Sequence, residues 1–129
     1  MKTSLNRILL VEDEPDIRLV TELSLRMLGG FTVESCATGM EALDRIEDWG
    51  PDLVLLDVMM PSMDGPSVLA ELRRRPATRE MPVVFMTARI QPNEVTRYKE
   101  LGATAVVGKP FDPLTLPARL QAIWDGSHE

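Results

Sequence analysis

The stretch DLVLLDVMMPSMDG, residues 52–65, determines the fold class of this chain. Leu53–Leu56 form an uninterrupted apolar run, which is typical of a strand covered on both faces. Asp57 follows at once, and residues 61–65 then favour a turn because they include Pro, Asp and Gly. Burying a charge costs free energy unless the group is paired or bound to a metal. The stretch therefore predicts that other parts of the chain supply partners for Asp57.

Five short apolar runs recur along the chain, and segments with helical spacing separate them. This alternation predicts a single (βα)5 domain of the α/β class, with a doubly wound parallel sheet, right-handed crossovers and helices on both faces. The candidate strands are Ile8–Val11, Phe31–Cys36, Leu53–Leu56, Val83–Met86 and Ala105–Val107.

The first predicted helix begins after Pro15 and is stopped by Gly29 and Gly30. Its residues divide into two faces at helical spacing, which is typical of a helix packed against a core. The polar face carries Arg18, Glu22 and Arg26, and the apolar face carries Ile17, Val20, Leu23, Met27 and Leu28.

The next three helices give signals of different strength. Thr38 and Glu41 form a T-x-x-E capping box before the second helix. The third begins near Pro66 and ends in Arg73–Arg75, which we interpret as a solvated helix end rather than an anion site. The fourth, residues 92–101, has few large apolar side chains, so its pattern is weak.

Pro117 leaves two alternatives open for the fifth helix, which runs towards Trp124. If Asp112 caps this helix and Pro113 is its first residue, Pro117 removes a backbone donor within the helix and predicts a kink. Otherwise a regular helix begins only around Thr115.

Composition argues against several classes of function. The chain has 129 residues, of which 44% are hydrophobic and 26% charged, as expected for one globular domain. A net charge of -6 argues against nucleic-acid binding by this domain. No apolar run approaches about 18 residues, and the stretch MKTSLNRILLVEDE has too short an apolar segment for a signal peptide, so we expect no membrane span. The lone Cys36 suits a reducing cytoplasm, and the lone His128 has no partner for metal or triad chemistry.

Polar residues follow four of the predicted strands at the point where each strand ends. The carboxyl ends of parallel strands share one edge of a sheet, and ligands bind at that edge where the strand order reverses. If three of the acids share one pocket, the first and third strands must be neighbours and the second is pushed outward. The residues at these ends are Glu12, Asp13 and Glu14, then Asp57, then Thr87, and finally Gly108, Lys109 and Pro110.

This combination of side chains indicates phosphoryl chemistry. Three carboxylates in one pocket raise each other's pKa values unless a cation compensates them. Mg²⁺ takes oxygen ligands and keeps several waters, which leaves a position for a phosphoryl oxygen. Lys109 supplies a compact positive charge for phosphate, and the Thr87 hydroxyl can donate a hydrogen bond to the same group. A metal, a nucleophilic carboxylate, a cation and a hydroxyl together predict an aspartyl phosphate.

The chain resembles the response-regulator receiver domain, the phosphoacceptor module of bacterial two-component signalling. The resemblance covers about residues 5–124, and residues 125–129 are expected to form a polar tail. It implies a flavodoxin-like sheet in the order 2-1-3-4-5 and a signalling module rather than an enzyme. The stretches that carry it are ILLVEDEP, PDLVLLDVMMPSMDG, VVFMTA and GATAVVGKPF.

The resemblance also implies a role for each residue of the site. Asp57 is the phosphoacceptor, Lys109 binds the phosphate and Thr87 is the switch hydroxyl. The implied cofactor is Mg²⁺, bound by Asp13, Asp57 and the backbone carbonyl of Met59, with Glu12 reaching it through water.

Three further expectations follow from the resemblance. The Lys109–Pro110 peptide bond is expected to be cis. The phosphodonor is expected to be a sensor histidine kinase or a phosphotransfer protein. A downstream protein, or a second copy of the chain, is expected on the face of the fourth helix, fifth strand and fifth helix. One position departs from the family pattern, because Val106 stands where Tyr or Phe is usual, which puts the usual aromatic readout in doubt.

Each residue alone also has a simpler interpretation, and two other functions compete. Asp13 could cap a helix, Asp57 could form a turn, and Lys109 could be a solvated lysine. An enzyme of the haloacid dehalogenase type also forms an aspartyl phosphate, but it needs an Asp where this chain has Met59. A receiver-like binding module that no longer accepts phosphate is the other alternative, and the presence of every expected site residue counts against it.

Overall fold

The computed structural model describes residues 4–127. Five parallel strands form one sheet in the order β2-β1-β3-β4-β5, which confirms the predicted fold class and strand order. The strands are β1 (Arg7–Val11), β2 (Thr32–Cys36), β3 (Leu53–Asp57), β4 (Val83–Thr87) and β5 (Ala105–Gly108). The helices are α1 (Pro15–Leu23), which continues as a π-helical extension (Ser24–Leu28), then α2 (Gly39–Trp49), α3 (Gly65–Arg74), α4 (Pro92–Glu100) and α5 (Leu116–Ser127). No helix within residues 4–127 is long and apolar enough to cross a membrane.

Two apolar cores cover the two faces of the sheet, which explains why β3 is a continuous apolar run. Leu53 and Leu55 pack with the extension of α1 and with α5, while Val54 and Leu56 pack with α2, α3 and α4. All five residues of β3 are buried. Alternate residues therefore serve opposite cores, and a polar side chain fits only at the end of the strand.

Helix caps fix the segments on either side of the site. The Thr38 hydroxyl accepts a hydrogen bond from the Glu41 amide at 3.1 Å, as the capping box predicts, while the Glu41 carboxylate bonds the amide of Ala37 at 2.7 Å. Asp64 caps α3 through the Ser67 amide at 2.9 Å. Gly65 lies against the backbone of β3, where an added Cβ would stand 2.7 Å from the Asp57 carbonyl oxygen. This close approach requires glycine and sets the turn that follows Asp57.

The predicted apolar face of the first helix is wrong. Of the five residues assigned to it, only Ile17 is half-buried, and the other four are exposed. The helix instead packs through Thr21, Ser24 and Leu25. The two hydroxyls can be buried because Thr21 donates to the Ile17 carbonyl and Ser24 donates to the Pro113 carbonyl. Short side chains on this face leave the larger apolar residues on the outside.

The structure decides between the two alternatives for the start of the fifth helix. α5 begins at Leu116, so Pro117 lies in its first turn, where the missing N–H has no helical partner; the second alternative is confirmed. α5 extends through Ser127, into the segment predicted as a tail, and His128 lies outside the described residues.

The interpretation of Arg73–Arg75 as a solvated helix end holds for only one of the three arginines. Arg74 is exposed, but the half-buried Arg73 donates to the Gly102 carbonyl at 2.8 Å, and Arg75 pairs with Glu71 at 2.9 Å. Arg73 therefore fastens the end of α3 to the loop between α4 and β5.

Candidate functional site

Three carboxylates converge at the carboxyl edge of the sheet. One carboxylate oxygen from each of Glu12, Asp13 and Asp57 lies within 4.8 Å of the others. Glu12 and Asp57 are buried, with exposed fractions of 1% and 3%. The cluster forms because β1 and β3 are adjacent, with Val11 opposite Leu56. The structure thus brings together the three acids that the sequence assigned to one pocket.

Lys109 reaches this cluster from the loop after β5. Its Nζ atom lies 2.7 Å from Glu12 Oε1 and 3.1 Å from Asp57 Oδ1. β4 separates β5 from β3, so the lysine side chain spans the strand between them. The Lys109–Pro110 peptide bond is cis, as expected.

The electrostatics of the pocket favour a cation. Burial raises the pKa of Asp57 to about 7; the hydrogen bond from Lys109 opposes this rise, and the negative charge of Glu12 adds to it. Burial lowers the pKa of Lys109, but its bonds to Glu12 and Asp57 outweigh this and hold the pKa above its ordinary value. One lysine therefore faces three carboxylates, which leaves an excess of negative charge. The hard oxygen donors and this charge balance fit Mg²⁺.

Thr87 ends β4 beside the acids. The preceding residue, Met86, pairs with Asp57 across the sheet, and Thr87 is only 1% exposed. Its Oγ1 atom accepts a hydrogen bond from the Arg89 amide at 3.0 Å. In the part of the chain that the structure describes, the Thr87 hydroxyl donates no hydrogen bond.

Met59 lies in the loop after β3 and is exposed, whereas the residues on either side of it are buried. The Met59 side chain is 64% exposed, while its amide lies 3.3 Å from Asp57 Oδ1. The backbone of Met59 can supply a carbonyl ligand whatever its side chain is. The role of this carbonyl as a metal ligand stays a prediction.

Arg18 belongs to the site although sequence reasoning placed it on the outer face of α1. Its Nη1 atom donates to the Glu12 carbonyl at 2.8 Å and to the Asp13 carbonyl at 3.4 Å. The sequence contains a sign of this contact, because Arg18 lies one helical turn after Glu14 and so lies close to the loop that carries the acids. It was obscured because Glu22 and Arg26 share the same helical face.

An apolar groove borders the acidic pocket. It has a volume of about 450 Å³ and lies between α1 and the loops that follow β4 and β5. A second apolar depression continues along α1 past Leu23, Met27 and Leu28. The first groove is lined by Asp16, Ile17, Val20, Ala88, Lys109, Pro110, Phe111 and Pro113.

Comparison with known proteins agrees with this geometry. Residues 8–121 match the family model of the response regulator receiver domain. The chain is 39% identical over 111 residues to response regulator Rre1 of Synechocystis sp., covering 86% of this chain and 48% of Rre1. It is 36% identical over 119 residues to the phosphate regulon transcriptional regulatory protein PhoB of Rhizobium meliloti, covering 92% and 52%. The chain thus spans about half the length of these relatives.

Solved structures show the same fold over most of the chain. The chemotaxis response regulator CheY4 of Vibrio cholerae superimposes with a TM-score of 0.86 at 31% identity, covering 93% of this chain and 99% of CheY4. The family model, the relatives and the structural match all describe one kind of domain. This chain belongs to the response regulator receiver domain family, the signalling module that accepts a phosphoryl group on an aspartate.

Proposed function

We propose that Asp57 of this chain is the residue that accepts the phosphoryl group, and that the donor is a phosphohistidine of a sensor kinase or a phosphotransfer protein. The observation that carries the proposal is the convergence of Asp57 with Glu12, Asp13 and Lys109 at one edge of the sheet. An Asp57 carboxylate oxygen attacks phosphorus and the bond from phosphorus to the donor nitrogen breaks. The donor ring carries a proton on its other nitrogen, so it leaves with the electron pair as neutral imidazole.

Mg²⁺ is the proposed cofactor. Asp13, Asp57 and the Met59 carbonyl would hold it directly, and Glu12 would reach it through water. When bound, the metal neutralises the carboxylates and the charge on the transferring phosphoryl group. The raised pKa of Asp57 supports the need for such a cation, because a protonated carboxyl group is a poor nucleophile.

Lys109 and Thr87 would hold the product. Lys109 already contacts both Glu12 and Asp57, and phosphorylation adds roughly two negative charges at pH 7. The lysine would then bind a phosphoryl oxygen. The Thr87 hydroxyl would donate a hydrogen bond to another phosphoryl oxygen and would still accept the hydrogen bond from the Arg89 amide.

If Thr87 shifts towards the phosphoryl group, the shift would be transmitted to α4 through the segment that begins at Arg89. Tyr98 is the buried side chain of this helix, and its ring meets Phe85 edge-on with centroids 5.3 Å apart. The half-buried Val106 packs against the same core and has no ring to turn inward. We therefore propose that the loop and the α4 backbone change most. The face of α4, β5 and α5 would contact a downstream protein or a second copy.

The apolar groove supports a protein donor. A donor must bring its histidine to Asp57, and the groove adjoins Lys109 at the mouth of the pocket. Val20, Leu23, Met27 and Leu28 extend this apolar surface along α1, which is typical of a protein contact site. A helix with apolar side chains would fit this groove. We propose that the transfer takes place in the cytoplasm. The domain acts as a signalling module in this scheme, and we propose no substrate turnover by it.

The dehalogenase alternative is not favoured by the position of Met59. Its thioether carries no proton to donate, and Met59 is 64% exposed, unlike the buried Glu12 and Asp57. The alternative of a module that cannot accept phosphate is countered by the full set of acids, lysine and hydroxyl at the site.

Incubation with acetyl phosphate tests the proposal. The parent protein should gain one phosphoryl group by intact mass in the presence of Mg²⁺ and none in EDTA. Asp57→Asn should gain none, and Asp44→Asn, which alters an exposed acid on α2, should behave as the parent does. Equal labelling of Asp57→Asn and the parent would exclude Asp57 as the acceptor.

A further inference from the structure

Arg18 joins α1 to the loop that carries Glu12 and Asp13. Its guanidinium donates to the two backbone carbonyls at 2.8 Å and 3.4 Å, and the side chain is half-buried. Within residues 4–127, Arg18 forms no ion pair with any of the nearby acids. A cation one helical turn from an acidic pocket thus binds peptide oxygens and leaves the carboxylates available.

Asp13 depends on this contact more than Glu12 does. The Glu12 amide donates to the Cys36 carbonyl at 3.0 Å, and the Glu12 carboxylate bonds Lys109 and the Glu14 amide. In the described part of the chain, Asp13 makes no hydrogen bond except the long one that its carbonyl accepts from Arg18. Because a short loop transmits the orientation of its peptide groups to its side chains, Arg18 has a direct influence on the direction of the Asp13 carboxylate.

We propose that Arg18 is a positioning residue for the metal site: it fixes the backbone at Glu12 and Asp13 so that the Asp13 carboxylate meets Mg²⁺ without rearrangement. The inference rests on the proposed function, since it assumes the Mg²⁺ site. Groups that orient metal ligands typically change metal affinity about 10- to 100-fold when they are removed.

The charge of Arg18 acts in the opposite direction, which makes the test decisive. A positive charge near the pocket repels Mg²⁺, so its removal alone strengthens Mg²⁺ binding. Loss of positioning weakens binding. The sign of the change in affinity therefore separates the two effects.

Mg²⁺ affinity can be measured by competition with Mn²⁺, followed by electron paramagnetic resonance, with no phosphodonor present. Arg18→Met keeps the apolar stem and removes the donors, and it should bind Mg²⁺ about tenfold more weakly than the parent. Arg18→Lys keeps the charge but not the planar fork and should lie between the two. The matched control is Arg26→Met on the same helix, because Arg26 also bonds a carbonyl, that of Val33, and pairs with Glu22. It should retain the parent affinity or bind slightly more tightly.

The rate of phosphorylation by acetyl phosphate gives a second readout. At saturating Mg²⁺ the Arg18→Met rate should return to within about twofold of the parent, because the reacting groups are intact once the metal is bound. A rate that stays low at saturating metal would overturn the positioning role.

Unchanged or tighter Mg²⁺ binding by Arg18→Met would overturn the inference. If Arg18→Met does not fold, Arg18→Lys decides it: clearly weaker binding supports positioning, and parent affinity overturns it. Absence of Mg²⁺ binding by the parent would instead refute the proposed function, so the two failures are distinguishable.

Discussion

Replacing Asp57 by Asn should stabilise the folded protein when no divalent cation is present. The pKa of the Asp57 carboxyl rises from 3.8 to about 7 on folding, chiefly because the group is buried. Each pKa unit corresponds to about 1.4 kcal/mol, so the buried charge opposes folding by at most about 4 kcal/mol at neutral or higher pH. Asn has nearly the same shape and carries no charge.

The raised pKa of Asp57 already includes the attraction of Lys109, which favours the charged carboxylate, so the loss of that contact in the Asn variant is not subtracted a second time. Lys109 keeps its 2.7 Å contact with Glu12, so it does not become an unpaired buried charge. We therefore expect Asp57→Asn to raise the free energy of unfolding by up to about 4 kcal/mol at about pH 8.

The pH dependence follows from the direction of the shift. A carboxyl with a raised pKa in the folded state holds a proton that the unfolded state releases, so its contribution is most favourable below the unfolded pKa of 3.8. The contribution of Asp57 to the stability of the parent then falls as pH rises towards about 7 and changes little above it. The advantage of the Asn variant should grow over this range.

Urea unfolding in EDTA, followed by circular dichroism at several pH values, measures this difference. Asp44→Asn is the matched control, because it removes an exposed acid and should change the free energy of unfolding by less than about 0.5 kcal/mol. Saturating Mg²⁺ should stabilise the parent more than Asp57→Asn and reduce the difference. An Asn variant that is less stable than the parent in EDTA, or a difference that does not change with pH, would refute the reasoning.

Three further predictions concern the lifetime of the phosphoryl group, the readout and the turn after β3. Met59 and Arg89 offer no acceptor to orient a hydrolytic water, so self-dephosphorylation should be slow and Met59→Asn should accelerate it severalfold in a decay assay; an unchanged or slower decay would contradict this. Beryllofluoride, which mimics an acyl phosphate, should change amide exchange in residues 88–108, and changes confined to the Asp57 loop would show that Val106 has uncoupled α4. Gly65→Ala should lower the free energy of unfolding by about 1–3 kcal/mol, measured by urea unfolding, because its Cβ would meet the Asp57 carbonyl oxygen at 2.7 Å; parental stability would show that the backbone yields there.

The strands and the residues at their ends were predictable from local patterns, whereas the strand order 2-1-3-4-5 was implied by the resemblance to the family. A run such as Leu53–Leu56 requires apolar cover on both faces, and the carboxyl ends of parallel strands share one edge. Polar residues at four strand ends were therefore expected to meet. Those from three of them, namely Glu12 with Asp13, Asp57 and Lys109, come together, and Thr87 ends the fourth strand next to Met86, the partner of Asp57.

The buried face of α1 could not be predicted from its own residues. Apolar spacing favoured Val20, Leu23, Met27 and Leu28 as the buried face, but their exposed positions depend on partners far along the chain. Ser24 can be buried because the Pro113 carbonyl accepts a hydrogen bond from its hydroxyl. A hydrophobic pattern measures apolarity and cannot detect a hydroxyl that distant backbone will satisfy.

The arginines show the same limit. Arg18 and Arg73 were both placed in solvent, and both donate to backbone carbonyls instead. The Arg73 partner, Gly102, lies in the loop before β5, and only the folded chain brings it near α3. Backbone acceptors leave no mark on the sequence, so such contacts require the structure.

Identification of the phosphorylated residue tests the central claim most directly. The parent protein is treated with acetyl phosphate and Mg²⁺, the acyl phosphate is reduced with borohydride, and the modified position is located by peptide mass spectrometry. Reduction converts a phosphorylated aspartate to homoserine, and we predict this change at Asp57. Modification at another acid, with Asp57 unchanged, would contradict the account.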